Sequence, residues 1–160
     1  MDTGDPGYSR EYRLERFVAA QDDGGTYCRA VAELRAGRKV SHWMWFVFPQ
    51  ISGLGRSATA REFAICSLGE ARAYLRHPVL GPRLAECARV LTEVAGRTAE
   101  QIFGGLDAQK LRSSMTLFLR AEAAHAAGAG DGSATGSLFA QVLRQYFDGQ
   151  PDPATDRLLR

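Results

Sequence analysis

The feature that most constrains the fold is a stripe of apolar residues repeating at steps of four, three, four and three. This spacing places all the stripe's side chains on one face of an α-helix. Comparable helical patterns run from Leu14 to Tyr146, and no segment alternates as a half-buried strand would. The sequence therefore predicts an all-α fold, a single compact globule of about seven helices without significant sheet. The stripe consists of Leu80, Leu84, Cys87, Leu91 and Val94, and Gly96 closes it.

Short polar signals mark the expected helix starts. Ser67 with Glu70, and Thr98 with Gln101, have the spacing of a capping box, in which two side chains satisfy the first amides of a helix. A helix that starts at Ser57 is expected to reach Cys66. Further N-caps are predicted from single polar residues, namely Thr26, Asp107 and Thr155.

A length of 160 residues suits one domain. Residues 1–10 are predicted to be a flexible tail, 11–150 the helical domain, and 151–160 a C-terminal tail with a short helical turn. Residues 123–136 are rich in Ala and Gly and are predicted to form a flexible loop within the domain.

Charge and cysteine content narrow the classes of partner. The chain has 20 basic and 18 acidic residues, a net charge of +2, which disfavours nucleic acid as a partner. No apolar run spans a bilayer, so we expect a cytoplasmic protein. Cys28, Cys66 and Cys87 form no CxxC pair, so no metal site or cofactor is predicted. Each is expected to be a small buried hydrophobe.

The most distinctive segment is the aromatic block, residues 42–50, with the sequence HWMWFVFPQ. Its continuous apolar run has no clear period, and we interpret it as a short buried helix followed by a loop. The longer string SHWMWFVFPQISGLGRS, residues 41–57, resembles the signature of bacterial domain-of-unknown-function family 1810. The segments YLRHPVLG (74–81) and FGGLD (103–107) with KLRSSMTLF (110–118) fit the same family.

This resemblance covers about residues 13–150. It implies an all-helical fold and no established reaction. Some members of the family carry the label calpastatin, which a packed helical domain does not support. A weaker similarity, in the order and character of segments, links the chain to the NADAR (YbiA-like) group. That similarity implies cleavage of N-glycosidic bonds in nucleotide-like or ADP-ribose-linked compounds.

The aromatic block and the loop after it supply the first group of candidate residues. His42 is a candidate acid or base, because an imidazole can exchange protons or hydrogen-bond a ligand, or else a structural histidine. Trp43 is a candidate stacking surface for a flat ligand, or else part of the core. The side-chain amide of Gln50 can hydrogen-bond one edge of a ligand, or else hold the backbone of the loop. Arg56 and Ser57, at a helix start, can bind an anion or form an ordinary cap.

The second group lies in and after the FGGLD turn. Asp107 is a candidate acid/base group, as is Glu62 in the helix after Ser57. Lys110, Arg112 and Ser114 are candidate ligand-binding residues, because positions 107, 110 and 114 share one face of a helix. The alternative is a capping Asp, a solvated Lys and a Ser that packs between helices.

These residues lead to two hypotheses. In the first, the domain binds a small nucleotide-like or ADP-ribose-like metabolite in a pocket between the aromatic block and the FGGLDAQKLRSS turn. If it also hydrolyses that metabolite, an N-glycosidase-type reaction is expected. In the second, the domain is a non-enzymatic adaptor whose aromatic block is core or docks a protein. Motifs of serine hydrolases, P-loop NTPases and zinc enzymes are absent from the sequence.

Overall fold

A computed structural model describes residues 11–129 and 137–160, except the side chains of 124–129. Within these ranges the chain is helical, and the pairing of Ile51 with Ile65 is an isolated parallel bridge rather than a sheet. The all-α prediction is confirmed, whereas the predicted tail at 1–10 lies outside the described residues. The helices are α1 (Glu15–Asp22), α2 (Thr26–Arg35), α3 (Met44–Val47), α4 (Ala58–Glu62), α5 (Leu68–Arg76), α6 (Leu80–Glu93), α7 (Ala99–Phe103), α8 (Gly105–Ala129), α9 (Leu138–Phe147) and α10 (Pro153–Leu158).

Helix α8 runs through the middle of the fold and packs against α5, α7, α9 and α10. Its buried face includes Leu111, Met115 and Phe118. The Phe118 ring lies 5.2 Å from that of Tyr74 and 6.0 Å from that of Phe139. The polar residues at the start of α8 are therefore carried on an element that the core holds in place.

The apolar stripe that predicted a helix forms the buried face of α6, apart from Val94, which follows the last helical residue. This helix packs against α2, α5 and α9. The helix begins very close to the end of α5. A Cβ atom at Gly81 would lie 2.2 Å from the carbonyl oxygen of Leu75. Only glycine allows this approach, because the neighbour is backbone and cannot rotate away.

The capping signals are confirmed at two helix starts. Thr98 and Gln101 form a complete capping box at α7. The Ser67 hydroxyl accepts from the Glu70 amide, 3.1 Å away, at the start of α5. The Glu70 carboxylate, however, accepts from the amide of Cys66 at 2.8 Å. In the predicted box the Glu70 carboxylate would accept from the amide of Ser67. It accepts instead from the amide of the preceding residue, Cys66.

The prediction that the helix after Ser57 reaches Cys66 is wrong, because α4 ends at Glu62. The next residues turn back to meet the loop after the aromatic block. The Ile65 amide donates to the Gln50 carbonyl and the Ser52 amide donates to the Ile65 carbonyl, each at 2.8 Å. This long-range pairing replaces the helical hydrogen bonds.

Three predicted N-caps are also wrong. Thr26 is the first residue of α2 rather than its cap. Asp107 lies within the first turn of α8, where its carboxylate bonds lysines instead of amides. At α10 the cap is Asp152, which accepts from the amide of Thr155.

The Ala/Gly segment is partly helical. Helix α8 continues to Ala129, where the sequence suggested a loop from residue 123, because alanine is the strongest helix former. Residues 130–136 of the predicted loop lie outside the described ranges. Although α8 has 25 residues, no helix in the described part of the chain is long and apolar enough to cross a membrane.

The cysteines differ in their surroundings. Cys87 is buried, as predicted, and burial raises the pKa of its thiol to about 12. Cys28 and Cys66 are exposed, so the prediction that each cysteine is a buried hydrophobe fails for these two.

Candidate functional site

The extended segment that leads into the aromatic block is fixed by Glu33 of α2. One carboxylate oxygen accepts from the amides of Val40 (2.7 Å) and Ser41 (2.9 Å) and from the indole nitrogen of Trp43 (3.0 Å). The other accepts from the Ser41 hydroxyl at 2.6 Å. Burial alone would raise the pKa of Glu33, but these hydrogen bonds outweigh it and lower the pKa to about 2.

Two lysines meet one carboxylate at the start of α8. Asp107 bonds the Lys39 ammonium at 2.9 Å and the Lys110 ammonium at 3.0 Å. We call these three residues the lysine–aspartate cluster. Burial acts to raise the pKa of Asp107, but the two ammonium groups hold it below its ordinary value. Because two cations face one anion, the cluster keeps a net positive charge.

The two tryptophans of the block lie against this cluster. The Lys39 ammonium is 5.1 Å from the ring centre of Trp43, and the Lys110 ammonium is 4.2 Å from that of Trp45. Trp43 is fully buried, whereas Trp45 is half-buried. The aromatic block and the start of α8 are thus adjacent, and Trp45 is the tryptophan that reaches the surface.

Beside Trp45 lies a small cleft between α4 and the loop at 50–55, which we call the Gln50 cleft. It has about 20 Å³ of space for the centre of a water-sized molecule, room for little more than one small group. The residues lining it include Trp45, Gln50, Ser52, Gly55, Arg61 and Phe63.

The side-chain amide nitrogen of Gln50 is unusual, because it is buried without a partner among the described residues. Gln50 is only 8% exposed, and its Nε2 has no hydrogen-bond partner among the described residues. A buried donor in this state costs about 1–3 kcal/mol. Such groups are rare in native proteins and point to a water or ligand that completes them.

Close packing shapes the wall of the Gln50 cleft. A Cβ at Gly55 would lie 3.2 Å from the Trp45 ring and 2.5 Å from the Cβ of Ala60. A larger residue at position 55 would push the loop from the indole. The lack of a side chain at Gly55 therefore lets the loop pack against Trp45.

Other predicted residues lie at the surface. His42, Arg56, Ser57 and Glu62 are exposed. The Ser57 hydroxyl accepts from the amide of Ala60 at 3.1 Å, so it caps α4. Of the four, His42 directly precedes Trp43, in the segment that carries Lys39 of the cluster. Arg56 directly follows Gly55, which lines the cleft.

The remaining predicted residues lie further along α8. Arg112 donates to the backbone carbonyls of Gln150 and Pro151, both at 2.9 Å, and so holds the C-terminal segment. Ser114 is fully buried, and its hydroxyl has no hydrogen-bond partner within the described ranges. It lies one helical turn after Lys110, towards the core.

A buried polar network holds α10 against α8. The Asp152 carboxylate accepts from the hydroxyls of Ser113 (2.7 Å) and Thr155 (2.6 Å). Its backbone amide donates to the Thr116 hydroxyl at 2.8 Å. Burial acts to raise the pKa of the Asp152 carboxyl, but these hydrogen bonds outweigh it and lower the pKa. This network serves the fold rather than the cleft.

Sequence reasoning missed Glu33, Lys39 and the network around Asp152. Lys39 and Lys110 are the two lysines of the chain, a signal that could have drawn attention to Lys39. Glu33 carries no signal of its own, because it acts on residues that come near it only in the fold. Across the described residues, no cluster of three or more His, Cys, Asp or Glu could hold a metal ion.

Comparison with known proteins gives a family but no activity. The crystal structure of the conserved hypothetical protein Rv1873 from Mycobacterium tuberculosis is similar, with a TM-score of 0.82 and 48% identity. The similarity covers 93% of this chain and 97% of that one. No curated protein matches the sequence. The family described as Protein of unknown function (DUF1810) matches residues 11–159. The chain therefore belongs to the DUF1810 family.

Proposed function

We propose that the domain binds a small anionic metabolite with a flat ring, such as a nucleotide-like or ADP-ribose-like compound, at Trp45. The observation that carries this proposal is the buried Nε2 of Gln50, which lacks a partner in the described part of the chain. A ligand oxygen at this atom would remove the penalty of burying it. The half-buried Trp45 lines the cleft together with Gln50 and offers a surface for a ring.

The charges around Trp45 favour an anion. The lysine–aspartate cluster has two cations for one carboxylate, and Lys110 lies over the indole. Arg61 lines the cleft, and the exposed Arg56 directly follows Gly55 in the sequence. Arg and Lys side chains bind phosphate and carboxylate groups through charge-assisted hydrogen bonds.

The size of the cleft determines how such a ligand would bind. About 20 Å³ is far less than the pockets that enclose whole ligands. Only one group of the ligand would enter, while its ring would lie against Trp45 and its anionic part would remain near the surface.

The adaptor alternative has less support. A docking surface for a protein needs a contiguous exposed apolar patch. Among the described residues, the exposed large apolar side chains are Val40, Leu106 and Leu158. The cleft is lined by Gln50, whose Nε2 has no hydrogen-bond partner among the described residues, and this fits a small molecule better.

A thermal-shift screen tests the proposal. The panel would contain AMP, ADP, ADP-ribose and ribose 5-phosphate. A ligand at 100 times its Kd adds about 2.7 kcal/mol to the stability, which raises Tm by roughly 5–10 °C for a chain of this size. We expect this shift to disappear in Gln50→Met and Trp45→Leu. It should persist in Arg89→Ala, which removes an exposed arginine on α6. No shift with any compound, or equal shifts in all variants, would contradict the proposal.

The same incubations address catalysis. Asp107 is held as a carboxylate by two lysines and is suited to fix Lys39 and Lys110 rather than to transfer protons. His42, exposed beside Trp43, is the better proton donor for a leaving group. Chromatography would detect release of a base or ribose. Release that is lost in His42→Ala would extend the proposal to N-glycosidic hydrolysis, and intact ligand would restrict it to binding.

A further inference from the structure

One arginine of α1 holds the chain that follows α4. The Arg16 guanidinium donates from Nε to the carbonyl of Glu62 at 2.7 Å and from Nη2 to the carbonyl of Ala64 at 2.9 Å. Its Nη2 also lies 3.1 Å from the Glu70 carboxylate of α5, and the side chains of this ion pair are only 12% and 2% exposed. Both carbonyls lie at or beyond the end of α4, where a helix no longer supplies partners for its carbonyls.

The guanidinium is itself fixed from other directions. Its Nη1 donates to the carbonyls of Tyr12 at 2.6 Å and Arg13 at 3.0 Å, in the turn before α1. Together with the contacts to residues 62, 64 and 70, this makes five hydrogen bonds, one for each N–H group of the side chain. Arg16 therefore joins three parts of the fold, namely the turn before α1, the start of α5 and the chain after α4.

The chain held by Arg16 forms one side of the Gln50 cleft. Phe63 and Ala64 line the cleft. The next residue, Ile65, exchanges backbone hydrogen bonds with Gln50 and Ser52 of the loop. The segment 62–65 is thus bonded to Arg16 in one direction and to the loop in the other. The place at which Arg16 holds this segment sets where the two sides of the cleft meet.

We infer that Arg16 is a positioning residue for the Gln50 cleft, which fixes the segment 62–65 and, through Ile65, the loop at 50–52. Arg16 is not among the described residues that line the cleft, so it acts through the backbone rather than on the ligand. A planar guanidinium suits this role because its donors point in several fixed directions, whereas an ammonium offers three donors at one atom. The consequence for binding rests on the proposed function, but the effect on the segment does not depend on any ligand.

Arg16→Lys is the variant that isolates this role. It keeps a cation beside the buried Glu70 carboxylate, whereas Arg16→Gln would leave that charge unpaired and destabilise the whole domain. A single ammonium at position 16 cannot bond Glu70, both carbonyls of residues 62 and 64 and the turn before α1. Arg13→Lys, at an exposed neighbouring position, is the matched control. Gly81→Ala, which acts at the contact between α6 and Leu75, controls for a general loss of stability.

Amide hydrogen exchange measured by NMR shows whether the loosening is local. The informative amides are those of Ser52 and Ile65, which pair the segment with the loop, and that of Met115, a residue buried in α8. In Arg16→Lys we expect the exchange rates of Ser52 and Ile65, relative to that of Met115, to rise at least about tenfold, as for loss of a hydrogen bond to a charged group. The same ratio should not rise in either control variant.

The two tryptophans provide a second local signal, and ADP-ribose provides a test of binding. With fluorotryptophan incorporated in the full chain, the fluorine resonance of Trp45, which lines the cleft, should shift or broaden in Arg16→Lys. The resonance of Trp43, which is buried in the core, should stay in place. The Kd for ADP-ribose, measured by calorimetry, should rise at least about tenfold in Arg16→Lys and stay unchanged in Arg13→Lys.

The outcomes separate this inference from the proposed function. If exchange at Ser52 and Ile65 only follows that of Met115, Arg16 stabilises the fold as a whole and the inference is overturned. Faster local exchange without any change in the Kd for ADP-ribose would also overturn it, because binding would not depend on where the segment lies. If the wild type binds neither ADP-ribose nor the other compounds of the panel while local exchange still rises in Arg16→Lys, the proposed function fails and the positioning of segment 62–65 by Arg16 is confirmed.

Discussion

Protonation of the Glu33 carboxylate should make the domain less stable in acid, and Glu33→Gln should remove much of this dependence of stability on pH. The charged group accepts four hydrogen bonds from residues 40, 41 and 43. Its pKa falls from 4.5 to about 2. Since the folded pKa lies below the unfolded one, the stabilisation is complete above pH 4.5 and is lost as the pH falls towards 2.

The magnitude follows from these pKa values. A drop from 4.5 to about 2 corresponds to about 3 kcal/mol at neutral pH. Solvent screening at this partly exposed side chain reduces the contribution to about 1–2 kcal/mol. For a chain of this length, we expect Glu33→Gln to lower Tm by about 3–6 °C at pH 7.

The assay is thermal unfolding of wild type and Glu33→Gln at pH 7 and pH 3, followed by circular dichroism. The Tm difference between the two proteins should shrink by more than half at pH 3, because the wild type has lost most of the stabilisation there. Glu62→Gln, at an exposed glutamate, is the matched control and should behave as wild type. An equal difference at both pH values would refute the reasoning, since it would show that the charge of Glu33 is not what stabilises the segment.

Three further predictions concern stability alone, each measured by urea unfolding. Gln50→Met should leave stability unchanged or raise it by about 1 kcal/mol, because it replaces a buried donor that lacks a partner in the described residues; a loss above about 1 kcal/mol would reveal a missing contact. Gly81→Ala should cost about 2 kcal/mol or more through the clash with the Leu75 carbonyl. Its control is Gly105→Ala, where an added Cβ has no described atom within 4 Å; this change should be neutral or stabilising. Asp152→Ala should cost about 2–3 kcal/mol, because it removes the acceptor of the buried Thr155 hydroxyl and one acceptor of the Ser113 hydroxyl.

The helices could be predicted because their signals are local. The stripe of α6 depends on spacing along the chain, and the box formed by Thr98 and Gln101 depends on two residues three positions apart. Both survive in the fold. The end of α4 could not be predicted in this way, since it is set by the pairing of Ile65 with Gln50 and Ser52 across the loop.

The candidate site was only partly predictable for the same reason. The sequence singled out Gln50, Asp107 and Lys110 by their chemistry and family motif. It gave no means of seeing that Lys39 would share Asp107 with Lys110. Nor did it indicate that Glu33 would hold the segment carrying Lys39. These roles depend on distances between elements that only packing determines.

The bridge between Ile51 and Ile65 has a kinetic consequence. Its two backbone hydrogen bonds tie the loop after Gln50 to the chain beyond α4, so the wall of the cleft is already in place before any ligand arrives. Binding then forfeits little backbone freedom. A ligand should therefore associate in one step, at a rate limited by encounter rather than by rearrangement, and differences in affinity among related ligands should arise mainly from how long each remains bound.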